Sequence, residues 1–99
     1  MFSIEITVDI QGIETNAMEA LMVGVVQLPC VPMNGMRIDA PDGSSAELEL
    51  SDVVYCLRRK MFVGMLTDTA FDDNTESVIK SWEEIGFTCD WRRKDDATE

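Results

Sequence analysis

Residues 46–66 read AELELSDVVYCLRRKMFVGML and organise the predicted fold. Apolar residues alternate with glutamates from Ala46 to Leu50, which is typical of a strand with one buried face. A nearly continuous apolar run follows, interrupted by the basic residues 58–60. The β-branched and aromatic side chains of residues 53–55 favour a strand. The stretch therefore predicts two paired strands in the middle of a small sheet.

Residues 52–61 also permit a second interpretation, a helix. Ser51 stands where it would cap that helix, and the cations of residues 58–60 suit a helix C-terminus, where the dipole is negative. The hairpin, in turn, needs a tight turn that contains neither Gly nor Asn. Both interpretations stay open from the sequence. In either case the alternation changes phase at Ser51-Asp52, which predicts a bulge or bend.

Four further segments carry strand patterns. In residues 2–10 every second residue is apolar, and one buried and one wet face suit an antiparallel sheet. The other predicted strands are residues 21–28, 36–40 and 87–91. Residues 16–20 contain good helix formers, so a short helical turn before the second of these strands stays open.

One helix is predicted over residues 73–85. Asp73 followed by Glu76 resembles a capping box at its start, and Gly86 is a natural stop. Its apolar face carries Val78, Ile79, Trp82 and Ile85 at helical spacing. We expect Trp82 to pack this face onto the sheet.

Together these elements predict an α+β fold. We expect a small antiparallel sheet or partly closed barrel of about five to six strands, with one helix at about residues 73–85. The chain has 99 residues, which is enough for one domain. That domain is predicted to span residues 1–91, followed by a flexible polar tail over residues 92–99.

The residue types argue against catalysis and metal binding. Histidine is absent, which removes the commonest general base, the usual triads and most zinc sites. Cys30, Cys56 and Cys89 form no Cys-x-x-Cys pair, so we expect neither a disulfide framework nor a metal site. Cys56 and Cys89 lie in apolar strand-like runs, where we expect a free thiol to act as a small buried hydrophobe. We expect no enzyme, with no catalytic residue, no metal and no cofactor.

Two features bear on the location of the chain. It has no run of 18 or more apolar residues, which predicts that it does not span a membrane. Its first ten residues alternate in polarity and begin without Lys or Arg, unlike a signal peptide. The sequence therefore predicts a cytoplasmic protein without a membrane partner.

Charge is the main functional signal. Nineteen acids against eight bases give a net charge of −11, which disfavours direct nucleic-acid binding and favours a basic protein surface as partner. Glu5, Asp9, Glu47 and Glu49 are candidate partner-binding residues. If their strands were neighbours, these carboxylates would share a wet face with a spacing of about 6–7 Å along each strand, similar to phosphates in a nucleic acid. A generic solubilising surface is the alternative.

Met33 and Met36 are the other candidate partner-binding residues. They flank Asn34-Gly35, which predicts a turn, and they follow the stiffening Pro29 and Pro32. Flexible apolar side chains on such a loop suit contact with a partner. Alternatively, the loop folds back and closes the core.

Two functions fit these observations. The first is a small acidic protein-binding module, an inhibitor or immunity-type protein that blocks a basic, nucleic-acid-binding surface of its partner, for example as an anti-defence protein of a phage or mobile element. The second is a structural or assembly subunit that forms a homo-oligomer through an apolar loop or a sheet edge.

Overall fold

The computed structural model describes residues 1–42, 47–71 and 74–93, which form seven strands and one helix. The strands are β1 (Phe2–Gly12), β2 (Met18–Leu28), β3 (Arg37–Asp39), β4 (Glu47–Glu49), β5 (Ser51–Cys56), β6 (Met61–Ala70) and β7 (Thr88–Arg92), and the helix is α1 (Thr75–Glu84). One sheet has five strands in the order β5-β6-β1-β2-β7, and a second sheet pairs β3 with β4. The fold is α+β and rich in strands.

The central strand of the large sheet is β1. Its even-numbered apolar residues, Ile4, Ile6, Val8 and Ile10, are buried as the alternation predicted. It pairs antiparallel with β2 but parallel with β6, so the expectation of a purely antiparallel sheet is wrong at this pair. Alternation predicts which face of a strand is buried, but it carries no information on the direction of the neighbour. The described sheet ends at β5 and β7, so it is open and not a partly closed barrel.

The hairpin interpretation of residues 52–61 is confirmed, because β5 and β6 pair antiparallel around a turn. Lys60 closes that turn with a positive φ of 56°, and its N–H donates to the Cys56 carbonyl at 2.8 Å. The predicted bulge is also confirmed, since the register shifts between Ser51 and Val54 and Asp52 has a φ of 53°. The expectation that both strands of this hairpin lie in the middle of the sheet is wrong for β5, which is an edge strand.

The segment just before β5 belongs to the other sheet. β4 pairs with β3, so that Ile38 faces Leu48. Leu50 alone separates β4 from β5, and its N–H donates to the Met36 carbonyl at 2.8 Å, which extends the β3–β4 pairing. Residues 47–66 therefore contribute to both sheets, and β4 does not extend the large one.

A tight hairpin joins β1 to β2. β2 begins at Met18, earlier than predicted, and the connection closes with the Gly12 N–H on the Ala17 carbonyl at 2.9 Å. Asn16 has a φ of 53° within this turn. The helical turn that residues 16–20 permitted is therefore absent, because strand pairing with β1 outweighs the local helix propensity.

The helix is confirmed and ends as expected. Gly86 has a φ of 98°, its N–H donates to the Glu83 carbonyl at 3.0 Å, and the Phe87 N–H donates to the Trp82 carbonyl at 3.1 Å. This pair of bonds is a Schellman motif, which satisfies the last carbonyls of the helix. The structure places the N-cap at Asn74, and the predicted capping residue Asp73 lies outside the described residues.

The layers leave one side of the large sheet open. The side chains of Ile4, Ile6, Val8 and Ile10 form one core with residues of α1 and β4, including Trp82 and Leu48. We call this side of the sheet the inner face. The odd-numbered residues of β1 and their register partners form the outer face, over which no described segment lies.

The last strand continues past the end that we predicted for the domain, and the cysteines also differ in part from the prediction. Arg92 lies in β7, and the Arg93 N–H donates to the Glu19 carbonyl at 2.9 Å, so regular pairing continues past the predicted domain boundary at residue 91. Residues 94–99 lie outside the described residues. Cys89 is an exposed thiol and not the buried hydrophobe we expected, Cys56 is half-buried, and Cys30 is exposed as well.

Candidate functional site

The four predicted carboxylates do not share one face. Glu5 and Asp9 lie on the outer face of β1, whose neighbours are β2 and β6. Glu47 and Glu49 lie on β4 of the two-stranded sheet, which packs on the inner side. The structure therefore brings the candidates together as two separate pairs. Their common face depended on β4 lying beside β1, and β6 occupies that position instead.

Glu5 is already matched by a cation. The guanidinium of Arg59 donates from Nη1 to Oε1 and from Nη2 to Oε2, both at 2.8 Å. The hydrogen bond from Arg59 lowers the pKa of the Glu5 carboxyl, and Glu5 in turn raises the pKa of Arg59. Arg59 belongs to the basic triplet at the β5–β6 turn, so that triplet supplies a neutralising partner to the central strand.

Asp9 lies further along the same face of β1. Its Oδ2 accepts a hydrogen bond from Nε2 of Gln11 at 3.0 Å. Its Oδ1 is buried and has no hydrogen-bond partner among the described residues. Arg59 therefore neutralises Glu5, and the buried Oδ1 of Asp9 is not available to a basic partner.

Four carboxylates line a cleft on the inner side. The cleft has a volume of about 760 Å³ and lies between the start of α1, β4 and the end of β6. Its acidic lining residues are Asp42, Glu47, Glu49 and Asp68. Leu48, Phe71 and Val78 supply apolar walls, and no Lys or Arg occurs among the described lining residues. Low-dielectric walls around like charges focus a negative potential in such a cleft.

Asp68 is the most deeply placed of these acids. It is 6% exposed, with Oδ2 accepting from the Trp82 indole at 3.0 Å and Oδ1 accepting from the Thr69 N–H at 2.8 Å. Burial raises the pKa of the Asp68 carboxyl, Asp42 adds to the rise, and the two hydrogen bonds oppose it. Both oxygens already accept a bond, so Asp68 anchors the floor of the cleft.

The burial of Asp68 was predictable from the alternation of residues along β6, although the charge pattern alone does not indicate it. Along β6 the residues that alternate with it, Leu66 and Ala70, are buried. Extending this alternation places Asp68 on the inner face. A buried carboxylate in that register needs donors, which indicates a structural anchor.

Residues 33–36, which we call the Met33 loop, do not line the cleft. Met33 is 63% exposed, whereas Met36 is half-buried against the core. Asn34 fixes the loop because its Oδ1 accepts from the Val53 N–H at 2.8 Å, and the Gly35 N–H donates to the Leu50 carbonyl at 2.8 Å. The loop thus folds back onto the core at Met36 and leaves Met33 exposed.

Other features of the described residues also bear on a site. They contain no group of three or more Cys, Asp or Glu side chains placed to hold a metal ion. A shallower cleft of about 440 Å³ opens at the amino-terminal end of β1, beside Tyr55, Lys60 and Phe62. No helix in the described ranges is both long and apolar enough to cross a membrane.

No protein-family model, no curated protein and no solved structure matches this chain. The features that bear on function are therefore its own: the acidic cleft on the inner side and the outer face of the large sheet.

Proposed function

We propose that this chain is a small acidic protein-binding module that acts as an inhibitor by covering a basic surface of a partner protein. The observation that carries this proposal is the cleft, which four carboxylates line without a Lys or Arg among the described lining residues. A nucleic-acid-binding surface is the proposed target, and an anti-defence protein of a phage or mobile element is one setting in which such an inhibitor acts.

The cleft suits the long cationic side chains of a partner. The stem of an inserted Lys or Arg would lie along Leu48, Phe71 and Val78, while its head meets the carboxylates. Glu47 already pairs with Arg37 at 3.2 Å, but both side chains are more than half exposed. An exposed ion pair contributes little to stability, so Glu47 is able to exchange Arg37 for a cation of the partner.

The proposed partner-binding surface differs from the one predicted from the sequence. Glu47 and Glu49 stay within it, and they are joined by Asp42 and Asp68. Glu5 and Asp9 are left out, because they lie on the outer face and Arg59 neutralises Glu5. The proposal assigns no reaction, and the cytoplasm stays the proposed location, supported by the three free thiols.

A titration with a short arginine-rich peptide tests the cleft directly. We expect the amide resonances of β4 and of residues 67–69 to shift, and the shifts to shrink as salt rises. Glu49→Lys should weaken binding strongly. Glu84→Lys is the matched control, because it makes the same charge change at an exposed position at the end of α1.

The partner itself is found by affinity capture from the native host at low and high salt. We expect a protein rich in Lys and Arg that wild-type chain and Glu84→Lys retain and Glu49→Lys loses. Equal binding by both variants, or peptide shifts that map to the outer face, would show that the cleft is not the binding site.

A further inference from the structure

The outer face of the large sheet is apolar on the strands that flank β1. Register places Val54 beside Val63 on β5 and β6, and Leu21 beside Trp91 on β2 and β7. Val25 is 54% exposed, Val54 57% and Trp91 43%. A sheet face that meets only water normally carries polar residues at these positions. Val23 and Val25 on β2, and Val63 and Met65 on β6, extend these apolar strips on either side of β1, whose outward residues between them are polar.

The same face is nearly neutral, in contrast to the chain as a whole. Register and ion pairing place three carboxylates on it, those of Glu5, Asp9 and Glu19, against the guanidiniums of Arg59 and Arg93. Glu5 pairs with Arg59 at 2.8 Å, and Glu19 pairs with Arg93 at 2.9 Å. The whole chain carries a charge of −11. The outer face is thus a surface on which two copies of this acidic chain meet with little repulsion.

The size of the face is adequate for a stable contact. Five strands spaced by ~4.8 Å, with about eight residues of ~3.4 Å each, span roughly 650 Å². Two such faces would bury about 1,300 Å² in total, which is within the range of specific protein interfaces. Two sheets that pack face to face in this way form a two-layer sandwich.

We propose that a second copy of this chain covers the outer face, so that the two five-stranded sheets pack against each other as a homodimer. The contact is a sheet face, and it uses neither the Met33 loop nor a sheet edge. It is independent of the acidic cleft, because the cleft lies on the inner side. The charge outside the face is the force that opposes the dimer, so its affinity rises with salt, opposite to the salt dependence of a basic partner.

Sedimentation velocity of the full chain over a wide concentration range, at low and high salt, is the first test. We expect a monomer–dimer equilibrium that shifts toward dimer as salt rises. Val25→Gln combined with Val54→Gln keeps the charge and should raise the dimer dissociation constant at least about tenfold. Met33→Gln is the matched control, because Met33 is an exposed apolar residue outside the face, and it should leave the constant unchanged.

Trp91 offers a second test that needs no variant. It lies on the outer face at 43% exposure, whereas Trp82 is 2% exposed, so quenching by acrylamide reports on Trp91. We expect quenching to fall as the protein concentration rises. A monomer at all concentrations, or a dimer in which Trp91 stays open to quencher, overturns the proposal. So does a dimer that Met33→Gln weakens and the valine variant does not.

Discussion

The indole N–H of Trp82 donates a 3.0 Å hydrogen bond to Oδ2 of Asp68, and both side chains are buried. The bond joins α1 to β6 across the core. A buried indole donor or carboxylate acceptor without a partner is costly, so each residue makes the burial of the other tolerable. The core thus contains a polar contact that also forms the floor of the acidic cleft.

We expect Trp82→Phe to lower the free energy of unfolding by about 2–4 kcal/mol, because it removes the donor and leaves a cavity. The same substitution in an Asp68→Asn background should cost about 1 kcal/mol less, since no buried carboxylate is then left unpaired. Urea denaturation of the four proteins of this cycle measures the difference. Equal losses in both backgrounds would show that the charge of the carboxylate adds nothing to this contact, since the amide oxygen introduced by Asp68→Asn also accepts from the indole.

Asp68 should also make stability depend on pH. Because burial raises the pKa of its carboxyl above that of the unfolded chain, the folded protein binds an extra proton between the two values. The contribution of Asp68 to the free energy of unfolding therefore increases as pH falls through the raised pKa, and it decreases as pH rises. The free energy of unfolding of Asp68→Asn, relative to that of wild type, should therefore be higher at pH 7 than near pH 4.

The control for this pH effect is Asp39→Asn, which removes one exposed carboxylate from β3. It relieves general charge repulsion without touching the core. If Asp39→Asn changes the pH profile of urea denaturation as much as Asp68→Asn does, net charge and not burial is the cause.

Gly24→Ala should destabilise the fold because the added methyl group collides with the ring of Phe87. A β-carbon at Gly24 would lie 2.5 Å from Cδ1 of Phe87, which packs on β2 next to Trp82. We expect a loss of about 1–3 kcal/mol on thermal or urea unfolding, as for other overpacked cores. In a Phe87→Leu background the added methyl group has room, so the loss should shrink. An unchanged loss would point to strand geometry as the cause.

Gly86→Ala tests the backbone alone. The residue has a φ of 98°, and a β-carbon added there would have no atom of the described, non-adjacent residues within 4 Å. The expected cost is about 1–2 kcal/mol, which is the penalty of a left-handed conformation for a residue with a β-carbon. Gly86→Asn should cost less, because Asn visits this region more readily. Circular dichroism during urea unfolding measures both, and equal costs would contradict the conformational explanation.

Local patterns predicted the elements better than their arrangement. Alternation in β1 and helical spacing around Trp82 indicated the element type and most of the buried face, and these depend on neighbouring residues only. Ile85, predicted on the buried face of the helix, is 55% exposed, because it is the C-cap and follows the last helical residue. The parallel pairing of Ile4 with Phe62 depends on the path of the intervening chain, which no local pattern records. The antiparallel assumption failed for this reason.

The candidate site shows the same limit. Glu47 and Glu49 were recognisable as exposed acids because they alternate with apolar residues. Their separation from Glu5 was not predictable, since it depends on which strand lies beside β1. Nor was the pairing of Glu5 with Arg59, which are 54 residues apart. Asp68 was within reach of the alternation along β6.

The parallel pairing of β1 with β6 also determines how the nascent chain is exposed. The β1–β2 hairpin involves neighbouring residues and is able to form early, but the other edge of β1 stays unpaired until residue 70 has left the ribosome. Contacts between distant residues form slowly, because the connecting chain must first lose its freedom. During synthesis the central strand of the large sheet therefore displays an open hydrogen-bonding edge, and such unpaired edges are prone to aggregation.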